Sequence, residues 1–353
     1  MKTSAKILIC YNPPLSVYSI YTGKPPQHSK RGKDLSEVQF SKDLRKIKKE
    51  LDEYFTIVKT LPVEKNIAQT INKINTFSPD VIFNFVESVE GIASYEYCQT
   101  GIFELLGYHY TGNIPSCLGN CLDKARTKNI LRSFGLKTPD YMTVSPKVKF
   151  SEEDFVLKFP VILKLSNEDA SIGISELSVV RNFSDLKKHL NFLFRTYNQS
   201  VIIEEFIKGR ELNVAVLGDR VLPISEILFD GLPKGLPAIV TYEGKWIGNS
   251  VYYKHTTPKC PAKLEKIIKN RIEKTALAAF KAMNCRDYAR VDIRLSRNGI
   301  PYVIEVNPNP DITMDSGFAR AALAANINHE QLLATIANFA LERLRNDTKN
   351  KAV

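Results

Sequence analysis

The segment that most restricts how this chain can fold lies near its C-terminal end. It reads Tyr288-Ala-Arg-Val-Asp-Ile-Arg-Leu295, then Ser-Arg-Asn-Gly, then Ile300-Pro-Tyr-Val-Ile-Glu-Val-Asn307. Both arms are rich in β-formers, and Asn298-Gly299 between them is the strongest short-range hairpin signal. A two-residue loop at Asn298-Gly299 pairs Arg297 with Ile300. Counting outward sets Asp292 opposite Glu305 and Arg290 opposite Asn307, and strand alternation puts all four on one face. Two carboxylates directly opposite each other repel, so removing one should leave the metal-free fold intact. A cation between them resolves the repulsion. Hard oxygen ligands beside an amide suit Mg²⁺, the partner of nucleotide phosphates.

The rest of the chain, 353 residues long, has room for two or three domains. Lys6–Tyr11, Thr56–Leu61 and Val81–Phe85 read as strands. Helices fall between them, one from the capping-box-like Ser36-Glu-Val-Gln39 to about Tyr54, one through Ile67, Ile71 and Ile74. That alternation implies a parallel sheet. A polar loop, Pro13–Asp34, carries Pro25-Pro26 and a basic tip. Helices follow at Glu96–Leu106 and Leu122–Phe134, then a linker at Thr138–Lys149. Strands are expected at Phe159–Leu165, Ile174–Val180, Val201–Glu205, Leu212–Leu217 and Val221–Leu228, with a helix at Phe183–Tyr197. The long loop Phe229–Pro261 is of a length that is often functional. Helices at Ala262–Met283 and His329–Arg345 flank the hairpin.

The formal charge of +11 raises nucleic acid as a partner. The basic residues are scattered, however. The densest run (Lys42, Arg45, Lys46, Lys48, Lys49) shares a helix with apolar Phe40, Leu44, Ile47 and Leu51, which makes it a solvated face. No zinc-finger, helix-turn-helix or RNP pattern occurs, and an anionic small substrate accounts for the bias equally well. The apolar run Ile7–Cys10 is too short for a signal peptide or a membrane span, so the reading is a cytoplasmic protein with no membrane partner. The six cysteines read as reduced and structural. Cys117 and Cys121 can share a helix face, but two thiols are not a zinc site.

Several residues carry chemistry. Lys164 sits in an apolar strand beside the small-residue loop Asn167–Gly173, where free backbone N–H groups and a lysine make an anion cradle. Glu204 and Glu211 flank a strand end, where carboxylates can accept bonds from an adenine amine or ribose hydroxyls. Lys124 and Lys128 share a helix face, a spacing that repels slightly in isolation, is unremarkable on a surface and is useful near phosphates.

Taken together, Asp123-Lys124…Thr127-Lys128, Pro160-Val-Ile-Leu-Lys164, Ser171-Ile-Gly173, Glu204…Gly209-Arg-Glu211, Tyr242-Glu-Gly-Lys245, Arg290-Val-Asp292 and Glu305-Val-Asn307 resemble the ATP-grasp ligases. They are most similar to the D-alanine–D-alanine ligase-like branch. The resemblance implies an α/β chain with the ATP-grasp fold behind an N-terminal preATP-grasp (Rossmann-like) α/β domain. Its parts would be 1–121, a central nucleotide lid at 122–211, and a C-terminal subdomain with the metal and catalytic site at 212–353. It implies ATP and Mg²⁺ as cofactors, and a carboxylate–amine ligation through an acyl phosphate that releases ADP and phosphate. It assigns Lys124 and Lys164 to ATP phosphates, Ser171 to the phosphate-covering loop, Glu204 to the adenine amine and Glu211 to the ribose. Lys245 would reach the γ-phosphate, and Asp292, Glu305 and Asn307 would hold Mg²⁺. Arg290 would stabilise the tetrahedral intermediate, and Ser316 would hold the second substrate's carboxylate. Members are commonly dimers.

The chain departs from that pattern on the substrate side. Glu87 stands where the family carries a histidine, Ala170 where it carries a serine, and Trp246 where it carries tyrosine or phenylalanine. Asp311 replaces a glycine near the oxyanion site, and Pro13–Asp34 offers no clear counterpart of the glutamate that meets the first substrate's amine. The expectation is an amide-forming ligase acting on an amino acid or derivative. A true D-alanine–D-alanine ligase and a catalytically silent ATP-binding scaffold are the alternatives.

Overall fold

A computed structural model describes residues 2–13 and 35–351. The expected loop beyond Pro13 and the side chains of the capping box at Ser36–Gln39 lie outside the described residues.

The N-terminal part opens with β1 (Thr3–Tyr11), α1 (Leu35–Tyr54), β2 (Phe55–Pro62), α2 (Ile67–Phe77) and β3 (Val81–Phe85). The strands form the expected parallel sheet in the order β2-β1-β3. Ile7-Leu-Ile-Cys10 is a continuous apolar run because β1 is covered on both faces. Ile7 and Ile9 pack with Leu44, Ile47 and Leu51 of α1, while Leu8 and Cys10 face Ile74 and Phe103. Arg45, Lys46 and Lys49 on α1 are exposed, as a solvated face requires. Next come α3 (Tyr95–Leu105), α4 (Pro115–Leu122) and α5 (Lys124–Ser133). The last two replace the single helix expected from Leu122. Asp123 breaks the chain there and caps α5, its Oδ1 accepting from the N–H groups of Ala125 and Arg126 at 3.0 Å each.

The middle of the chain forms a second, antiparallel sheet. Its strands are β4 (Tyr141–Val144), β5 (Val161–Leu165), β6 (Val179–Val180) and β7 (Val201–Glu205), in the order β4-β7-β5-β6. Helix α6 (Phe183–Tyr197) seals one face, with Leu186, Leu190 and Leu193 against Val161, Leu163 and Ile203. Strand β4 lies within the segment expected to be a linker. The strand expected at Ile174–Val180 shrinks to two residues, because Ser175 starts a tight turn and accepts from Leu177 N at 3.2 Å.

The third sheet holds β8 (Gly209–Leu217), β9 (Arg220–Val221), β10 (Ser225–Leu228), β11 (Thr257–Lys259), β12 (Tyr288–Ser296) and β13 (Pro301–Asn307). It runs β11-β10-β8-β12-β13, with β9 also on β8. The single strand expected over Val221–Leu228 is divided around Pro223, which has no N–H for a ladder. The connection expected to be one long loop contains α7 (Tyr242–Trp246) and α8 (Val251–His255). Helix α9 (Lys266–Ala282) covers the sheet, and α10 (Gly317–Ala324) and α11 (His329–Lys351) finish the chain. Leu332, Leu333, Ile336 and Ala340 of α11 join the core built on Ile7, Ile9 and Leu44, so both ends of the chain share one apolar interior.

The hairpin reaches its expected pairing by an unexpected route. Gly299 N donates to Ser296 O and Ser296 N donates to Ile300 O, both at 2.9 Å. The loop is therefore the three residues Arg297-Asn298-Gly299, with Gly299 at φ 69°, and Ser296 rather than Arg297 stands opposite Ile300. Ile293 then pairs with Val303, and a bulge at Ile304 precedes the Asp292–Glu305 pair. The two one-residue offsets cancel, and Arg290 faces Asn307 as the sequence implies.

Candidate active site

A cavity of about 780 Å³ lies between the second and third sheets. Of the residues singled out above, Glu87, Lys124, Lys164, Ser171, Glu204, Glu211, Lys245, Trp246, Arg290, Asp292, Glu305 and Asn307 all line it. Ser316 does not. Its hydroxyl caps α10, accepting from Ala319 N at 3.1 Å, while its neighbours Asp315 and Gly317 reach the cavity wall.

The strand β12 face is the electrostatic centre. Arg290 and Asp292 are two residues apart on one side of the strand and form a two-pronged pair, Nε–Oδ1 at 2.7 Å and the second guanidinium nitrogen to Oδ2 at 2.9 Å. Asn213, opposite on β8, donates to Asp292 Oδ1 at 2.7 Å. Burial works against the charge of Arg290, but Asp292 outweighs it and raises the pKa. Asp292 is thus held by a guanidinium and an amide rather than left to repel Glu305, which gives its removal a cost that repulsion alone leaves out. Glu305 has its own partners. Lys124 Nζ lies 3.7 Å away and also 3.4 Å from Asp169, and it donates to the Glu168 carbonyl. Burial opposes ionisation of Glu305, yet Lys124 and a bond from Asp169 draw its pKa down; burial and the facing Glu305 push Asp169 up.

A second cluster sits on β5 and β7. Glu204 is almost fully buried between two lysines, with Lys164 Nζ at 3.0 Å from Oε2 and Lys128 Nζ at 3.2 Å from Oε1. Lys128 is buried rather than on a surface, and burial draws its pKa down to about 8 against the pull of Glu204. Lys124 is buried too. Burial opposes its charge, but Glu305 and Asp169 raise its pKa above the ordinary lysine range. The two lysines tolerate their proximity because carboxylates interleave them. Glu211 is gripped by Arg294, 2.7 Å from its Oε2, and the same guanidinium lies 4.8 Å from the ring centroid of Phe206.

The remaining wall comes from loops. The ammonium of Lys245, on α7, forms no hydrogen bond or ion pair among the described residues. Burial and Arg290 lower its pKa, against the opposing pull of Glu305, Asp292 and Glu211. Beside it Trp246 Nε1 donates to the carbonyl of Ala170 at 3.4 Å, so two of the departures noted above touch each other. Ala170 and Ser171 take φ values of 52° and 62°. At the far end Glu96 of α3 is buried, and Asn309 Nδ2 donates to its Oε1 at 2.9 Å. Burial, with Glu87 adding to it, pushes the Glu96 carboxyl well above the usual range.

Arg294, Asn213, Asp169, Glu96 and Asn309 were not singled out from the sequence. Arg294 and Asn213 had a usable signal. Arg294 continues the alternation that places Arg290 and Asp292 on one face, and Asn213 continues that of Glu211. Glu96 and Asp169 had none, since only the fold brings them to the cavity.

Three lysines and an arginine facing two carboxylates and an amide, in a cleft between two antiparallel sheets, are the arrangement expected of an ATP-grasp enzyme. Comparison with known proteins agrees. Residues 130–338 match the family model described as D-ala D-ala ligase C-terminus. The D-alanine–D-alanine ligase of Nitrosomonas eutropha is 32% identical over 245 residues, covering 69% of this chain and 74% of that protein. An uncharacterised protein of Sinorhizobium fredii, y4sG, is 31% identical over 264 residues, covering 74% of this chain and 75% of its own length. The crystal structure of the D-alanine–D-alanine ligase from Bacillus anthracis complexed with ATP superposes with a TM-score of 0.72 at 25% identity, covering 98% of this chain and all of that one. The chain belongs to the D-alanine–D-alanine ligase family, and it is an ATP-dependent ligase that joins a carboxylate to an amine. No helix among the described residues is long and apolar enough to cross a membrane.

Proposed function

We propose that the cavity activates the carboxylate of an amino acid or amino-acid derivative with ATP, and that the first substrate is not free D-alanine. The observation that carries the reading is the shared face of β12 and β13, where Arg290, Asp292, Glu305 and Asn307 look toward Lys124, Lys164 and Lys245. The oxygen donors Asp292, Glu305 and Asn307 fit Mg²⁺, and the paired partners of the two carboxylates keep them oriented. Bound there, Mg²⁺ would neutralise phosphate charge during transfer.

The chain's own residues do the rest. Lys124 and Lys164 draw the phosphates against β5. The unpartnered Lys245 meets the transferring phosphoryl group, and Ser171 covers it from the loop. Glu211, aligned by Arg294, accepts from the ribose, with Phe206 beside the base. Glu204 serves the adenine side mainly by holding Lys128 and Lys164, since its carboxylate is already committed to both. The substrate carboxylate attacks the γ-phosphate and ADP departs. The amine of the second substrate then attacks the acyl phosphate, Arg290 stabilises the oxyanion, and phosphate leaves as the amide forms. Residues 1–121, 122–211 and 212–353 would act as substrate-side domain, nucleotide lid and catalytic subdomain of a cytoplasmic, dimeric enzyme.

Glu87 and Glu96 set the substrate class. Two carboxylates at one end of the cavity favour an ammonium or other cationic group, and an ammonium docked at Glu96 would restore its ionised form. Trp246 occupies the Ala170 carbonyl and fills space a phenol ring would leave. The second reading, D-alanine–D-alanine ligation, is favoured by the names of the relatives. The test is phosphate release from ATP and Mg²⁺ across D- and L-amino acids, diamino acids and dipeptides, singly and in pairs. Efficient D-alanyl-D-alanine synthesis at millimolar D-alanine would promote the second reading, and AMP with pyrophosphate as products would overturn both.

A further inference from the structure

On the face of α4 next to the one that lines the cavity, three cysteines meet. Cys117 and Cys121 lie one helical turn apart on one face of α4, as their spacing implies. The turn between α9 and β12 delivers a third, Cys285. The three sulfurs all lie within 4.8 Å of one another, and Cys117 and Cys285 Sγ are 3.5 Å apart. All are free thiols, Cys117 and Cys121 buried and Cys285 half-buried. Two thiols alone do not make a metal site, but the fold supplies a third, 168 residues away from Cys117 in the chain.

We propose that Cys117, Cys121 and Cys285 form a site for one thiophilic metal ion held by three sulfurs, with Cu(I) as the fitting occupant. A metal–sulfur bond of about 2.3 Å sets sulfurs about 3.8–4.0 Å apart in tetrahedral or trigonal geometry. The one short separation, 3.5 Å, and the 4.8 Å bound on the others put that spacing within reach of side-chain shifts of under about 1 Å. Among the described residues no fourth His, Cys, Asp or Glu joins the group. Zn²⁺ wants four ligands, whereas soft thiolates select Cu(I). Binding releases the thiol protons to solvent, and Arg286 offsets part of the net negative charge that three thiolates and one Cu(I) leave. That residue acts electrostatically on Cys117, and its guanidinium is held by Gly112 O at 2.7 Å.

The site clamps two parts of the ligase. Leu118 and Leu122 of α4 line the catalytic cavity, and Cys285 precedes the strand that carries Arg290 and Asp292. A bound ion ties the helix to the root of that strand without entering the cavity. The clamp does not depend on which substrate the ligase takes.

The test is an anaerobic Cu(I) titration of the reduced full-length protein against a chromophoric Cu(I) chelator. One ion per chain is expected, with near-ultraviolet thiolate-to-copper absorption, proton release and a raised unfolding midpoint. Cys98→Ser, which removes the exposed thiol, should retain all of these. Cys117→Ser and Cys285→Ser should lose the ion, and far-ultraviolet dichroism checks that they fold. Should either fold poorly, Cys285→Ala serves in its place, and copper-edge absorption on the unaltered protein should report sulfur-only coordination. Uptake that survives loss of Cys285, uptake that disappears with Cys98, or no uptake at all would overturn the site. Stoichiometric Zn²⁺ binding that displaces Cu(I) would overturn the three-coordinate assignment.

Discussion

Asp292 offers a perturbation in which two arguments predict opposite signs. Repulsion between facing carboxylates would make its removal harmless or stabilising. The structure gives it three short bonds instead, two from Arg290 and one from Asn213, at 2.7–2.9 Å. The pair is largely sequestered, with 19% of the Arg290 side chain and 9% of the Asp292 side chain exposed. Breaking a buried pair by removing one member costs about 3–5 kcal/mol, because the other charge is stranded; the residual exposure of Arg290 places Asp292→Leu at the lower end, about 3 kcal/mol. The pair can instead be removed whole. Arg290→Met with Asp292→Leu should regain most of the loss, since replacing both members by apolar residues of similar volume is often neutral. Urea unfolding followed by far-ultraviolet dichroism, on both single variants and the double, measures the coupling. Turnover should vanish in all three. A stability for Asp292→Leu within about 0.5 kcal/mol of the unaltered protein, the range of ordinary surface changes, would refute the pairing argument and reinstate repulsion.

Lys245→Ala should lower kcat roughly 10²–10³-fold while leaving ATP affinity nearly unchanged, as equilibrium nucleotide binding beside steady-state kinetics would reveal. Glu96→Gln should raise KM for the amino substrate with KM for ATP unaltered; equal changes in both would remove Glu96 from the substrate end. Gly209→Ala should fail to fold or unfold readily on heating, because its methyl would lie 1.9 Å from the Leu295 carbonyl oxygen on the paired strand. His189, buried on α6, has its pKa drawn down by burial from 6.5 to about 4. It is neutral in the fold, so its contribution is fully present above pH 6.5 and is lost as the pH falls toward 4, by roughly 3 kcal/mol; His189→Gln should remove that part of an acid-unfolding profile.

Local chemistry was legible in this sequence and distant chemistry was not. The hairpin, the strand lysine Lys164 and the amphipathic α1 follow from residues within a few positions of one another. The hairpin is also a warning, since Gly299 closes a three-residue loop and only the bulge at Ile304 returns Asp292 to Glu305. A bulge responds to sheet twist and packing, which no local pattern encodes. Lys124 and Lys128 illustrate the same limit. Their spacing describes one helix face, yet one ammonium meets Glu305 and Asp169 and the other meets Glu204.

Lys164, Glu204, Glu211, Arg290, Asp292, Glu305 and Asn307 could be placed from the sequence because they lie on strands, where alternation fixes direction. The substrate half rests on loops and on α3, where it does not. Glu87 and Glu96 are nine positions apart in the sequence, with no period that joins them. Only the turn between β3 and α3 brings both to one cavity, and burial then gives Glu96 its character. A carboxyl placed in that setting with a single amide donor is costly to ionise. Its retention at the cavity wall makes physical sense when a cation arrives to share it. That is why the substrate's charge, rather than the shape of its side chain, is the property this site should select most strongly, and why a panel of amino acids graded by cationic groups separates the two readings more sharply than one graded by size.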